Sequence, residues 1–219
     1  MRVIRRLRAR LHGDSGFSLI EVSVAMVLSS MIAASLVAVF YGLSQNTGDL
    51  SGRSRVQADS RSVIASQVVE IRQAIRADLN GEAIEAIDPS RLAFYTQNYV
   101  SEEIERVVYE RKECVEGECE LWRYKYALDQ MVGGIATFEA TPYASNFLMG
   151  KVLSDQPLFV GLEISGDPLV KSEISTCDGG ATKCNFSVVG ITLRARPYPT
   201  TGGALTPIEL HEEVRVRSA

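Results

Sequence analysis

One carboxylate sits inside an apolar run. Glu21 is the only charged side chain between Phe17 and Leu43, and no proline interrupts that stretch. An ionised carboxylate in lipid is costly and marks a functional position by default. The chemistry it offers is ion pairing with a cation, here one supplied by another chain; the alternative is a glutamate snorkelling at the membrane boundary. The second candidate group is the set of four cysteines, Cys114, Cys119, Cys177 and Cys184. Four cysteines allow three pairings. Local pairing, Cys114–Cys119 and Cys177–Cys184, is the natural expectation, since each bridge closes a short loop. A chain-entropy argument gives roughly 2 kcal/mol apiece. A four-thiolate zinc site is the competing arrangement.

Catalytic chemistry finds little support. His12 lies in the N-terminal basic segment, which leaves His211. The stretch IELHEEVRV around it lacks H-E-x-x-H spacing and alternates like a strand. There is no Walker loop, nucleophile elbow or dinucleotide fingerprint, and DGGATKC does not follow the calcium-loop pattern. No enzymatic activity, cofactor or metal is expected.

These residues must be positioned by a basic leader, a long helix and an acidic body. The chain has 219 residues, enough for one ordinary domain and an appendage. Residues 1–16 hold Arg2, Arg5, Arg6, Arg8 and Arg10 against Asp14 alone. Removing them from totals of 23 basic and 27 acidic side chains leaves 18 and 26, a formal charge of −8. Such a body argues against broad nucleic-acid binding, which depends on phosphate neutralisation. The apolar run from Phe17 to Leu43 is about 40 Å long as a helix, against a hydrocarbon core near 30 Å. Its apolar residues surround the whole helix, and arginines before it place the N-terminus in the cytoplasm. Small residues such as Ser23, Ala25, Ser29, Ala33 and Ala34 permit close helix–helix approach. A cleaved signal peptide has a shorter apolar region and a small-x-small site; an uncleaved signal anchor leaves Glu21 unexplained.

Beyond Leu43 the polar stretch SQNTGDLSGRSR, with Gly42, Gly48 and Gly52, predicts a thin or interrupted helix. Ile64, Val68, Ile71, Ile75 and Leu79 then form one apolar stripe, with Gly81 as its stop. From Arg91 onward the pattern is strand-like. RLAFYTQ is one strand, IERVVYERKEC and CELWRYKYALD flank VEG as a hairpin, and PLFVGLEIS, NFSVVGITLRARP and IELHEEVRVRS are three more. The fold expected is α+β: a long N-terminal helix packed on an antiparallel β-sheet head.

Gly16, Phe17, the Ser18-Leu19-Ile20 spacer, Glu21 and the apolar run resemble the processing site of type IV prepilins and type II secretion pseudopilins. The resemblance implies cleavage by the prepilin peptidase on the cytoplasmic side, between Gly16 and Phe17, and N-methylation of Phe17. It makes Glu21 the fifth residue of the mature chain, paired with the N-terminal amine of a neighbouring subunit. A glycine before the cut leaves the backbone open to close approach. The new amine and the acid lie four residues apart, near one helical turn. The organisation implied is a removed leader over 1–16, a transmembrane and assembly helix over 17–43, its amphipathic continuation over 44–80, and a β-rich extracytoplasmic head over 81–219. The departure from many type IV pilins is the missing proline in the apolar half, the first being Pro89.

The C-terminal pattern VVGITLRARPYPTTGGALTPIELHEEVRVRS is similar to that of PilW-like minor pilins and J-type minor pseudopilins. So is the return strand holding Leu121, Trp122, Arg123 and Tyr124. The function implied is that of a minor subunit in a type IV pilus-like filament, with a J-type pseudopilin of type II secretion as the alternative. Its implied partners are the prepilin peptidase, other pilin or pseudopilin subunits, an inner-membrane assembly platform and the membrane. Its implied location is the cytoplasmic membrane as a single-pass precursor, N-terminus in and C-terminus out, then an extracytoplasmic filament. A rival from another class is a signal-anchored external binding domain that never polymerises.

Overall fold

The computed structural model describes residues 18–77, 82–98, 100–164, 171–174, 177, 188–198 and 205–216. The chain divides into two units, Met1–Gly48 and Asp49–Ala219. Helix α1 spans Leu19–Arg72. Its described part in the first unit is a bare apolar helix; its remainder belongs to the second unit.

Among the described residues the second unit is built on ten strands, all paired antiparallel. They are β1 (Ile84–Asp88), β2 (Arg91–Gln97), β3 (Ile104–Val115), β4 (Glu118–Val132), β5 (Ile135–Phe138), β6 (Ala144–Leu153), β7 (Phe159–Ile164), β8 (Lys171–Ile174), β9 (Val188–Ala195) and β10 (Ile208–Arg215). The sheet runs β1-β2-β3-β4-β6-β9-β7-β8, with β10 added to β9 and β5 added to β4. The predicted hairpin is present, with β3 and β4 joined through Glu116 and Gly117, both at positive φ. That backbone matches the twist of flanking strands.

One face of the sheet is covered by α1. Val56, Val63, Ile64 and Ile71 of the helix share a core with Leu92, Phe94, Val107, Tyr109, Leu121, Leu193 and Val214. Ser60 and Gln67 are buried in the same stripe. Polar residues at those two positions break the stripe for a reading of apolar spacing. On the opposite face Ala93, Val108 and Tyr124 form a small cluster with Trp122 and Tyr126, and the Lys112 ammonium lies 5.0 Å from the Trp122 ring centre.

Two expectations for the helix are corrected. No interruption occurs across 44–55; the helix is continuous there. Glycine costs a helix only about 1 kcal/mol, and at Gly52 it has a positive use. A Cβ there would lie 2.8 Å from the Tyr198 carbonyl oxygen, so the strand β9 exit can press against the helix only where a side chain is missing. The second correction is the end of α1, at Arg72 instead of 80. Gln73 and Ala74 tighten to Glu70 and Ile71, and the Ile75 N–H donates to the Tyr95 carbonyl of β2 at 2.9 Å. The apolar period continues in the sequence, but Ile75 is claimed by the sheet; Leu79 and Gly81 lie outside the described residues.

The Gly52 contact yields a direct expectation. Gly52→Val should destabilise the head by about 1–3 kcal/mol, since an overpacked contact meets backbone instead of a movable side chain. The shift of the urea midpoint of the full chain in detergent measures it.

Candidate functional site

The first turn of α1 holds Glu21. The N–H groups of Glu21 and Val22 both donate to the Ser18 carbonyl, at 2.9 and 3.2 Å. The helix therefore begins just ahead of the acid, where its dipole favours negative charge. Gly16 and Phe17, the predicted cleavage and methylation positions, lie outside the described residues. Among the described residues the Glu21 carboxylate meets no hydrogen-bond donor and no cation.

Every residue from 18 to 44 is exposed, with Leu19 at 85% and Phe40 at 78%. A helix apolar on all sides and uncovered requires lipid or other helices around it. This one is long and apolar enough to cross a membrane. Three of its serine hydroxyls bond back to the helix itself. Ser23 donates to the Leu19 carbonyl at 2.9 Å, Ser30 to Val27 at 2.7 Å and Ser35 to Met31 at 2.5 Å. Back-bonding of this kind meets the polar demand of small side chains locally. It leaves a surface that another helix can approach closely, with an acid at its start that is unpaired among the described residues.

At the far end of α1 a polar cluster fixes the helix to the sheet. Glu70 Oε2 accepts a hydrogen bond from the Tyr109 hydroxyl at 2.5 Å, and Oε1 accepts one from Arg123 Nη1 at 2.6 Å. Arg123 Nη2 also donates to Asn146 Oδ1 at 3.2 Å. Burial, reinforced by Glu70, pushes the Tyr109 hydroxyl well above the usual tyrosine range, so it stays protonated and donates. Sequence reasoning missed this cluster, because its members lie on three elements and have no local spacing.

Cys114 and Cys119 are joined by a disulfide across the β3–β4 turn. Cys177 is also disulfide-bonded; Cys184, and with it the Cys177–Cys184 pairing, lies outside the described residues. The bonded sulfurs are not free thiolates, so the four-thiolate zinc arrangement is set aside. His211 stands on β10 as a strand residue, its Nδ1 2.9 Å from Thr192 Oγ1.

Residues 11–37 match the prokaryotic N-terminal methylation motif. The match covers Gly16, Phe17 and Glu21 and the first turns of α1. It indicates prepilin-like processing of a membrane-anchored precursor. No curated protein and no solved structure matches the chain.

Proposed function

We propose that the chain is a minor subunit of a type IV pilus-like filament, cut after Gly16, methylated on Phe17 and held in the fibre by α1. The single observation that carries this reading is Glu21: a carboxylate with no partner among the described residues, in the first turn of an uncovered apolar helix and inside the methylation motif. In the membrane the precursor lies with its leader in the cytoplasm and its head outside. After cleavage the Phe17 amine of one subunit meets Glu21 of its neighbour. A buried pair of this kind is weak as a source of stability and effective in setting register. The action is mechanical, with no chemistry on a substrate: helices stored in lipid are moved by the inner-membrane assembly platform into a bundle that replaces the lipid. The PilW-like assignment rests on the resemblance of the C-terminal sequence pattern from Val188 onward and of the return strand holding Leu121, Trp122, Arg123 and Tyr124.

The test is the mass of the N-terminal peptide in cells with and without the prepilin peptidase. A start at Phe17, bearing one methyl group and replaced by the intact Met1 form without the peptidase, is the expected result. A cut beyond residue 43 in both strains contradicts the proposal.

A further inference from the structure

Strand β4 outruns the sheet that holds it. Its pairing with β6 ends at Lys125 and with β3 at Ala127, and from Leu128 to Val132 it pairs with β5 among the described strands. The result is a two-stranded finger closed by Gly133 and Gly134, at φ 61° and 86°, the conformation a tight hairpin turn requires. The base of the finger is fixed, with Phe138 stacked on Tyr95 at 5.2 Å and the Glu139 N–H donating to the Ala127 carbonyl. Its tip is apolar and open: Met131, Val132 and Ile135 are 49, 60 and 62% exposed. Isolated hairpins are marginal in water, and an exposed cluster of large apolar side chains marks a contact surface. Asp129 and Glu139 stand exposed below the tip and make no ion pair among the described residues.

The direction of the finger follows from pairing. Ser60 approaches Met149, which opposes Leu121, while Glu70 reaches Arg123 further along β4. Strand β4 thus runs the same way as the Asp49–Arg72 part of α1, and the finger extends past the Glu70 end.

A complementary surface lies on the flank of the same head. Between α1 and β10 is a groove of about 620 Å³ with Ile64, Val68 and Leu210 along it. Arg61 and Arg72 stand on its helix side, and neither makes an ion pair among the described residues; Glu212 stands on its strand side. Eleven residues separate the two arginines, about 16 Å along the axis. Finger and groove match in kind: apolar against apolar, unpaired carboxylates against unpaired guanidinium groups.

We propose that the β4–β5 finger of one copy docks in the α1–β10 groove of the next, its acidic base against Arg61 and Arg72. Each docked pair leaves one finger and one groove free, so the contact is heterologous. The inference rests on the filament reading and adds the head-to-head contact that accompanies helix packing.

The experiment uses the full chain in cells, as two differently tagged copies, with photo-reactive benzoylphenylalanine replacing Val132. Illumination should give a species with both tags, cross-linked within residues 61–72 or 208–212. Arg61→Glu with Arg72→Glu in the recipient copy should lower its yield about tenfold or more, and Asp129→Lys with Glu139→Lys in the donor should restore it. Protease resistance of the head, assayed in parallel, reports that the variants fold. A cross-link to a different protein, or no cross-linked product from a protease-resistant head, overturns the proposal. The N-terminal mass in the same samples separates the two readings. A Phe17 start without homotypic cross-links defeats only the finger contact, whereas a retained Met1 defeats the filament reading itself.

Discussion

Glu21→Ala should be cleaved after Gly16 as efficiently as the unaltered chain and yet be missing from filaments. Cleavage acts on the segment around Gly16 and Phe17, four residues ahead of the acid, and a shortened side chain at 21 leaves that segment unchanged. Incorporation is another matter. Entry of α1 into a bundle of like helices removes the new amine of the neighbour from water, and a buried charge without its partner costs about 3–5 kcal/mol. A loss of that size corresponds to a hundredfold or more in occupancy. Glu21→Gln keeps the volume but not the charge and should fail in the same way, whereas Glu21→Asp should recover part of the effect. Quantitative immunoblots of sheared filaments against total membrane measure it. Normal incorporation of Glu21→Ala would remove the role assigned to the carboxylate.

The second large effect concerns the head. Glu70→Ala should lower the stability of the head by about 3 kcal/mol, near the low end for a broken buried pair because Glu70 and Arg123 keep some solvent contact. It takes the acceptor from the Tyr109 hydroxyl and the counter-ion from Arg123 together. Glu70→Gln retains one carbonyl oxygen and should cost less. Trp122, the single tryptophan, packs on the sheet beside Tyr124 and Phe147 and gives the fluorescence signal for a urea titration. An unchanged midpoint for Glu70→Ala would show that the cluster does not hold helix to sheet. The two variants separate the ends of α1: one should spare the head and lose the filament, the other should weaken the head directly.

How much of this was legible depended on whether a signal was local. Strands β2, β3, β4, β7, β9 and β10 carry runs of valine, isoleucine and aromatics bounded by glycine or proline, and they were readable within a few residues. Strand β1, IEAID, is short with two acids in five residues, β5 has four residues, and β6 begins with Ala-Ser-Asn and contains Gly150. Their strand state comes from pairing with a neighbour, as for Ile135 opposite Val132. The end of α1 was misplaced for a related reason, since Ile75 continues the helical period while its N–H serves Tyr95. Glu21 was plain because a charge in an apolar run contradicts its surroundings. Glu70 and Arg123, separated by 53 positions, looked like ordinary surface charges until the sheet joined them. The finger escaped because the strand pattern around CELWRYKYALD shows nothing of where its neighbours end, and Met131, Val132 and Ile135 stand exposed where β4 pairs with β5 alone among the described strands.

Whether the chain leaves the membrane as a processed filament subunit is measured most directly by the mass of its N-terminal peptide in purified, sheared filaments. The expected result is a methylated Phe17 start in that fraction, with the Glu21→Ala chain processed identically but retained in the membrane. A chain that never enters the filament fraction, or that carries Met1 through Gly16 wherever it is found, would contradict it.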